Sequence, residues 1–259
     1  MNILVFFLLC IVQGLTEFLP VSSSGHLLLF EQIFGIKNNL LLLNLFLHLA
    51  TLLAVVIFYR KIIWKLLKNP FQPLTYKLLF STLLTLIFAI CYEVLNIDSY
   101  VIYLYGFCFL ITSALLFFTH KMQKHMAVVK PKNIDFVSTL AVGISQGFAV
   151  LPGLSRSGTT IATLLICGND EDSAAEYSFL LSIPIIVGGF VLELLKIENF
   201  SSLFSEINPL IYIAGFILTF AVALFSLKFT IKMLKKNKFI YFSIYLLLLG
   251  VGVILYTFL

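Results

Sequence analysis

Of the chain's 259 residues 61% are hydrophobic and only 11% charged, with 27 phenylalanines and a mean hydropathy of +1.07. A soluble domain carries about 25% charged residues, so this chain cannot clothe itself in a solvated surface and reads as one bundle of membrane helices. The net charge of +5 does not point to nucleic acid: the lysines sit in short loops between apolar runs, the pattern of cytoplasmic loops that meet anionic lipid.

The first apolar region, Asn2–Phe34, is broken midway by Pro20-Val21-Ser22-Ser23-Ser24-Gly25. Met1–Leu9 holds no Lys or Arg and polar motif residues begin as early as Gln13, so the N-terminus is expected to be retained rather than cleaved as a signal peptide. Leu40–Tyr59 is long enough to cross a bilayer, which takes about 20 residues. A basic loop with Arg60, Lys61, Lys65, Lys68 and Lys77 follows, then the spans Leu78–Leu95 and Val101–Thr119, separated near Asp98 by a loop without Lys or Arg. Lys121, Lys124, Lys130 and Lys132 form a second basic loop. The second broken region, Ile134–Gly168, is interrupted by Pro152-Gly153-Leu154-Ser155-Arg156-Ser157-Gly158. Asp170–Asp172 and Glu176 read as a solvated cytoplasmic loop ahead of the span Ser178–Lys196. Beyond Glu198–Glu206, which lacks Lys and Arg, come Leu210–Leu227 and Phe239–Phe258, with Lys228, Lys232, Lys235, Lys236 and Lys238 in or beside the loop between them. Cys10, Cys91, Cys108 and Cys167 lie in apolar stretches without metal-ligand spacing and read as small buried hydrophobes.

Broken backbone at membrane depth is tolerated only where protein or a wet cavity satisfies its polar groups, so both interrupted regions are expected to be re-entrant pairs of half-helices. The positive-inside rule puts the three basic loops in the cytoplasm. Six full crossings satisfy that assignment only if each broken region returns to the side it entered from, the first from outside and the second from inside, with both termini outside. The two breaks also echo one another: Gln13-Gly14, Leu19-Pro20 and Ser22–Gly25 match Gln146-Gly147, Leu151-Pro152 and Ser155–Gly158. The expected fold is therefore an all-α polytopic membrane protein, one membrane domain over 1–259, with inverted-topology repeats at approximately 1–125 and 134–259. It has six transmembrane helices plus two re-entrant half-helix pairs whose breaks meet near the midplane.

The chemistry-bearing residues fall in those breaks: Gln13, Glu17, Ser22, Ser23, Ser24 and His26 in the first, Gln146, Ser155, Arg156, Ser157, Thr159 and Thr160 in the second. An Arg at bilayer depth costs about 2.5–3.5 kcal/mol on insertion scales, so it demands a partner. Helices that begin after Ser-Ser-Ser-Gly and Ser-Arg-Ser-Gly present free amides and a positive dipole end, and Arg adds a planar fork that matches phosphate oxygens. Two such ends facing each other suit a diphosphate, bound by Ser22, Ser24, Gly25, Ser155, Ser157, Gly158 and Thr160. Glu17 either neutralises Arg156 or, with the Gln13 carbonyl one turn earlier, binds Mg²⁺ or Ca²⁺. His26 either bonds a half-helix end or serves as general base or nucleophile.

The blocks QGLTEFLPVSSSGHL (Gln13–Leu27) and QGFAVLPGLSRSGTT (Gln146–Thr160) closely resemble the signature motifs of bacterial undecaprenyl-diphosphate phosphatases of the bacitracin-resistance type. LNLFLHLATLLAVVIFYR (Leu43–Arg60) and AAEYSFLLSIP (Ala174–Pro184) resemble that family too, and the likeness spans nearly the whole chain. The resemblance implies hydrolysis of the C55 diphosphate lipid to the monophosphate carrier of cell-wall synthesis, at a metal-dependent site open to the extracytoplasmic side of a bacterial inner membrane. By that resemblance the catalytic set is Glu17, Ser23, His26 and Arg156, and the family's acidic pair corresponds to Gln13 and Glu17. The chain departs from the family with Gln13 where Glu is common, Asn44 where Asp is common and Ala50 where Gly is common. Asn44 and His48 are accordingly left out of the catalytic set. Expected partners are the C55 lipid, the surrounding membrane lipids and, as an open alternative, a second copy in a homodimer; no nucleic acid is expected.

Three nucleophiles stay open: Ser23 assisted by His26, His26 itself, or an activated water, each with Arg156 and the cation on the phosphoryl oxygens. A lipid-phosphate transporter would use the same architecture, but transport does not require the His-Glu-Ser chemistry. Ser23-Ser24-Gly25-His26 partly mimics the PSGH element of the other lipid phosphatase class, yet no His follows Ser155-Arg156 anywhere in the chain, which excludes that class. The aromatic surplus is expected to face lipid, with some Phe lining a groove for the prenyl chain.

Overall fold

The structure is a computed structural model that describes residues 2–36, 41–94, 102–126, 133–195 and 209–258. Among the described residues all regular structure is helical: α1 (Ile3–Thr16), α2 (Ser23–Ile33), α3 (Leu41–Phe58), α4 (Arg60–Lys68), α5 (Pro73–Val94), α6 (Ile102–Met126), α7 (Phe136–Phe148), α8 (Arg156–Ile166), α9 (Glu171–Leu195), α10 (Pro209–Lys235) and α11 (Phe239–Phe258). Five of these are long and apolar enough to cross a membrane, α5, α6, α9, α10 and α11, and α3 joins them if it is counted with the bent α4. The expected loops around Asp98, Lys130 to Lys132 and Glu198–Glu206 lie outside the described residues, as do Leu40, Leu95, Val101 and Lys196 at the edges of expected spans.

Two boundaries differ from the sequence reading. Asp170 is the N-cap of α9 rather than part of a solvated loop, its Oδ1 accepting from the Ser173 amide at 2.8 Å, so Glu171, Asp172 and Glu176 ride on the first turns. Carboxylates suit the positive end of that helix, which is why the acidic run starts it. Second, Arg60–Lys68 is not loop but a separate helix turned by 78° from α3.

Both interruptions fall where Pro, Gly and Ser break the apolar runs. α1 and α2 are separated by residues 17–22, α7 and α8 by residues 149–155. A helix end leaves backbone groups without partners, and in this apolar interior hydroxyls from neighbouring helices supply them. Ser226 on α10 donates to the Leu15 carbonyl at 2.6 Å, Thr230 to that of Phe18 at 3.3 Å and Ser157 to that of Leu19 at 2.8 Å. Around the other break, Thr112 on α6 accepts from the Ser155 amide at 3.2 Å. Glu17 is thereby fixed between a capped helix end and Phe18, whose ring is fully buried edge-on to Phe179 of α9 at 5.5 Å.

The remaining packing supports these breaks from outside. α1 lies on α10 and α3, α7 on α5, and α8 on α6 and α9. α6 and α11 run antiparallel: Ser113 and Ser243 each donate to the other's carbonyl (2.7 and 2.8 Å), while Gly106 and Gly250 lie against each other's backbone. Small residues at that crossing permit the close approach that dispersion requires where lipid competes with protein for apolar surface.

Candidate active site

The two breaks meet. Gly153 donates its amide to Ser24 Oγ at 3.4 Å, and Ser157 returns a bond to the Leu19 carbonyl. Gly153 has φ +94°, a left-handed conformation that L side chains rarely adopt, and a Cβ there would press on Cys108 and Tyr105. Gly25 sits opposite, where a Cβ would lie 2.6 Å from the Phe109 ring and 3.3 Å from Gly153 Cα. Only glycines let the two segments approach this closely.

The helices that leave the breaks start alike. Ser22 Oγ accepts from the Gly25 amide at 3.3 Å, and Ser155 Oγ from the Gly158 amide at 3.1 Å. Each serine also contacts the hydroxyl two residues on, Ser24 and Ser157, both at 3.4 Å. Capping consumes the third amide of each helix and leaves those of Ser23, Ser24, Arg156 and Ser157 as first-turn donors. Ser22 adopts φ 69°, uncommon for a residue with a Cβ and held by the turn it closes.

Charge gathers between these starts. Glu17 Oε1 pairs with Arg156 Nη2, joining the first break to the second. Its Oε2 accepts from Ser23 Oγ at 2.6 Å and from Gln13 Nε2 at 2.9 Å. Gln13 is fully buried and Glu17 5% exposed, so this carboxylate has little water to lean on and takes its stabilisation from these three donors. Two polar atoms of the cluster, Arg156 Nη1 and Gln13 Oε1, are buried without a hydrogen-bond partner. They are a donor and an acceptor held ready beside the ion pair.

His26 stands apart from this network. Its Nδ1 bonds the Ser22 carbonyl and its Nε2 the Tyr245 hydroxyl, both at 2.7 Å. A carbonyl only accepts, so Nδ1 carries a proton, and in the neutral ring Nε2 accepts from Tyr245. The imidazole stacks on Tyr245 and meets Phe109 edge-on. Thr160 turns its hydroxyl to the Arg156 carbonyl and to Ser178, a scaffold contact behind the helix start. Gln146, the counterpart of Gln13, bonds Thr85 on α5 instead of an acid. His48 bonds the Asn44 carbonyl through Nδ1 at 2.7 Å.

Sequence reasoning thus assembles Gln13, Glu17, Ser23 and Arg156 into one cluster and misses Tyr245, Thr112 and Phe109. Those three sit on α6 and α11, inside apolar runs where a tyrosine, a threonine or a phenylalanine carries no local mark.

The chain matches the family model described as bacitracin resistance protein BacA over residues 6–252. It is 36% identical over 254 residues to an undecaprenyl-diphosphatase of Carboxydothermus hydrogenoformans, covering 95% of this chain and 94% of that protein. It is 37% identical to one of Halothermothrix orenii (95% and 94%) and 38% identical to one of Methanococcus vannielii (96% and 98%).

Proposed function

The chain belongs to the bacitracin resistance protein BacA family, and from that premise we propose that it is a membrane undecaprenyl-diphosphate phosphatase. It hydrolyses the C55 diphosphate to the monophosphate and inorganic phosphate, returning the carrier to cell-wall synthesis. The observation that carries this reading is the Ser23–Glu17–Arg156 chain of contacts across two helix starts. It gathers a hydroxyl, its acceptor and a phosphate-matching cation in one partly buried place, as phosphoryl transfer requires.

The diphosphate lies between the starts of α2 and α8, on the amides of Ser23, Ser24, Arg156 and Ser157. Arg156 uses its unpartnered Nη1 and the planar fork on the phosphoryl oxygens. Glu17 accepts the proton of Ser23, or of a water bound in its place, as oxygen attacks the terminal phosphorus and the bond to the bridging oxygen breaks. If Ser23 attacks, water then cleaves the phosphoserine and releases phosphate. The hydrogen bond from Ser23 to Glu17 favours these routes over direct attack by His26, whose Nε2 lone pair is engaged by Tyr245.

Gln13 Oε1 and Glu17 are the groups suited to a divalent cation. Among the described residues no three His, Cys, Asp or Glu side chains cluster to hold a metal. Magnesium commonly takes one or two protein carboxylates and completes its shell with substrate phosphate and water, which fits so sparse a set. The bound cation would neutralise diphosphate charge.

The chain folds as an inverted repeat with six crossings, and the site opens to the extracytoplasmic face of the cell membrane. Support comes from paired contacts: Ser24 to Gly153 against Ser157 to Leu19, Ser113 against Ser243, and α1 on α10 against α7 on α5. The test is phosphate release from C55 diphosphate by purified protein in detergent, where no gradient exists. Release that Mg²⁺ or Ca²⁺ supports and a chelator reversibly stops agrees with this reading. Binding without release would leave a lipid-phosphate transporter.

A further inference from the structure

The chain turns at Tyr59 through 78° into α4, whose nine residues, RKIIWKLLK, include no buried side chain. At 100° per residue their side chains fall into three sectors. Ile62, Ile63 and Leu66 share one arc and are partly covered, Ile62 and Ile63 against the main core. Trp64 and Leu67 lie on an adjoining arc, 61% and 68% exposed, with Phe71 just beyond the helix at 83%; Arg60 starts the helix between them and turns its guanidinium back to the Ile57 carbonyl at 3.1 Å. Lys61, Lys65 and Lys68 make the third. A helix nearly perpendicular to an adjoining span, with separate protein, apolar and cationic faces, has the form of one that lies in the plane of an interface.

The charge on that face lacks internal compensation. No Asp or Glu occurs between Glu31 and Glu93, and among the described residues none of Lys61, Lys65 and Lys68 is in an ion pair. Lys235, at the end of α10, differs in pairing with Asp172 at 2.8 Å. Lys68 lies over the Trp64 ring at 5.4 Å, an arrangement that keeps the ammonium beside the aromatic at interface depth. Covering the face therefore takes apolar chains along one arc and negative charge along the next, which an anionic phospholipid supplies in one molecule.

We infer that α4 is an in-plane interfacial helix that seats Trp64, Leu67 and Phe71 at the acyl-chain boundary and gathers anionic phospholipid headgroups on Lys61, Lys65 and Lys68. Trp64 is the chain's single tryptophan, so emission excited beyond the absorption of the tyrosines reports on α4 alone. The protein is reconstituted in bilayers of equal phosphatidylcholine and phosphatidylglycerol, with bromine near the top of the acyl chains of one lipid or the other. At low salt, brominated phosphatidylglycerol should quench Trp64 at least about twofold more than brominated phosphatidylcholine, since each surface lysine attracts anionic lipid. That preference should vanish at high salt and in the K61Q/K65Q/K68Q variant. Equal quenching by the two lipids at low salt would overturn headgroup selection. Quenching by neither, with Trp64 open to aqueous iodide, would take α4 off the membrane altogether. If the variant fails to reconstitute, the salt titration of the unmodified protein decides. No turnover enters the readout, so its failure would leave the proposed phosphatase reading standing.

Discussion

The two breaks share a frame and divide the chemistry. Each has a serine capping a glycine amide three residues on and touching a second serine hydroxyl at 3.4 Å. Between those serines the first break carries Ser23 and the second Arg156, and where the first has Glu17 the second has Val150. Gln13 reaches the acid, whereas its counterpart Gln146 reaches Thr85. One capping pattern, built on a left-handed Ser22 and an extended Ser155, thus presents an acid with a hydroxyl on one side and a cation on the other.

The largest effect is expected at the cation. Arg156→Lys keeps the charge but loses the fork, and turnover on C55 diphosphate should fall about a hundredfold, as when one donor to a transition-state oxygen is removed. Near wild-type turnover would make Arg156 an electrostatic prop. The glycines separate the two frames more finely. Gly25→Ala forces a methyl to 2.6 Å from the buried Phe109 ring, while Gly158→Ala meets Ser155 Oγ and Pro20 Cβ at 3.0 and 3.1 Å. The first should cost about 1–3 kcal/mol in thermal stability and the second less, so equal losses would contradict the asymmetry of fit.

Smaller effects test the groups outside the charged cluster. Tyr245→Phe keeps the ring against His26 and removes one hydrogen bond, worth about 1 kcal/mol, so turnover should drop several-fold and the pH profile should move. An unchanged profile would mean that His26 titrates nowhere in the cycle. Asp170→Ala removes the α9 cap and should cost about 0.5–1 kcal/mol, seen as a lowered melting temperature with kcat unchanged. Partial burial alone would raise the Asp170 carboxyl, but bonds from the Ser173 amide and hydroxyl outweigh it and hold the group below its ordinary value. A depressed acid stabilises the fold above its unfolded pKa, and the contribution is lost as pH falls through the folded one. The gap between wild type and variant should therefore close in acid.

Much of this was legible because a membrane makes exceptions expensive. Pro, Gly and Ser inside apolar runs announced both interruptions, and an Arg and a Glu at that depth each demanded a partner, with pairing to one another as one of two readings for Glu17. Tyr245 stayed hidden because its partner His26 is 219 residues away and a tyrosine in an apolar helix resembles one facing lipid. α4 stayed hidden because a lysine-rich stretch after a span reads as loop until its angular pattern is drawn. The acidic start of α9 was misread for a related reason: a run of Asp and Glu marks a solvated loop and a helix N-terminus equally well.

The central claim is that Glu17 and Arg156, held by different breaks, act as one unit. A double-mutant cycle on turnover of C55 diphosphate tests it most directly, with Glu17→Gln, Arg156→Lys and the two combined, each first checked for an intact fold. Groups that serve one function give strongly non-additive losses, so the double variant should be no more than about tenfold below the poorer single one. Losses that multiply, each substitution costing the same with or without the other, would mean that the two residues act independently and that their contact is only structural.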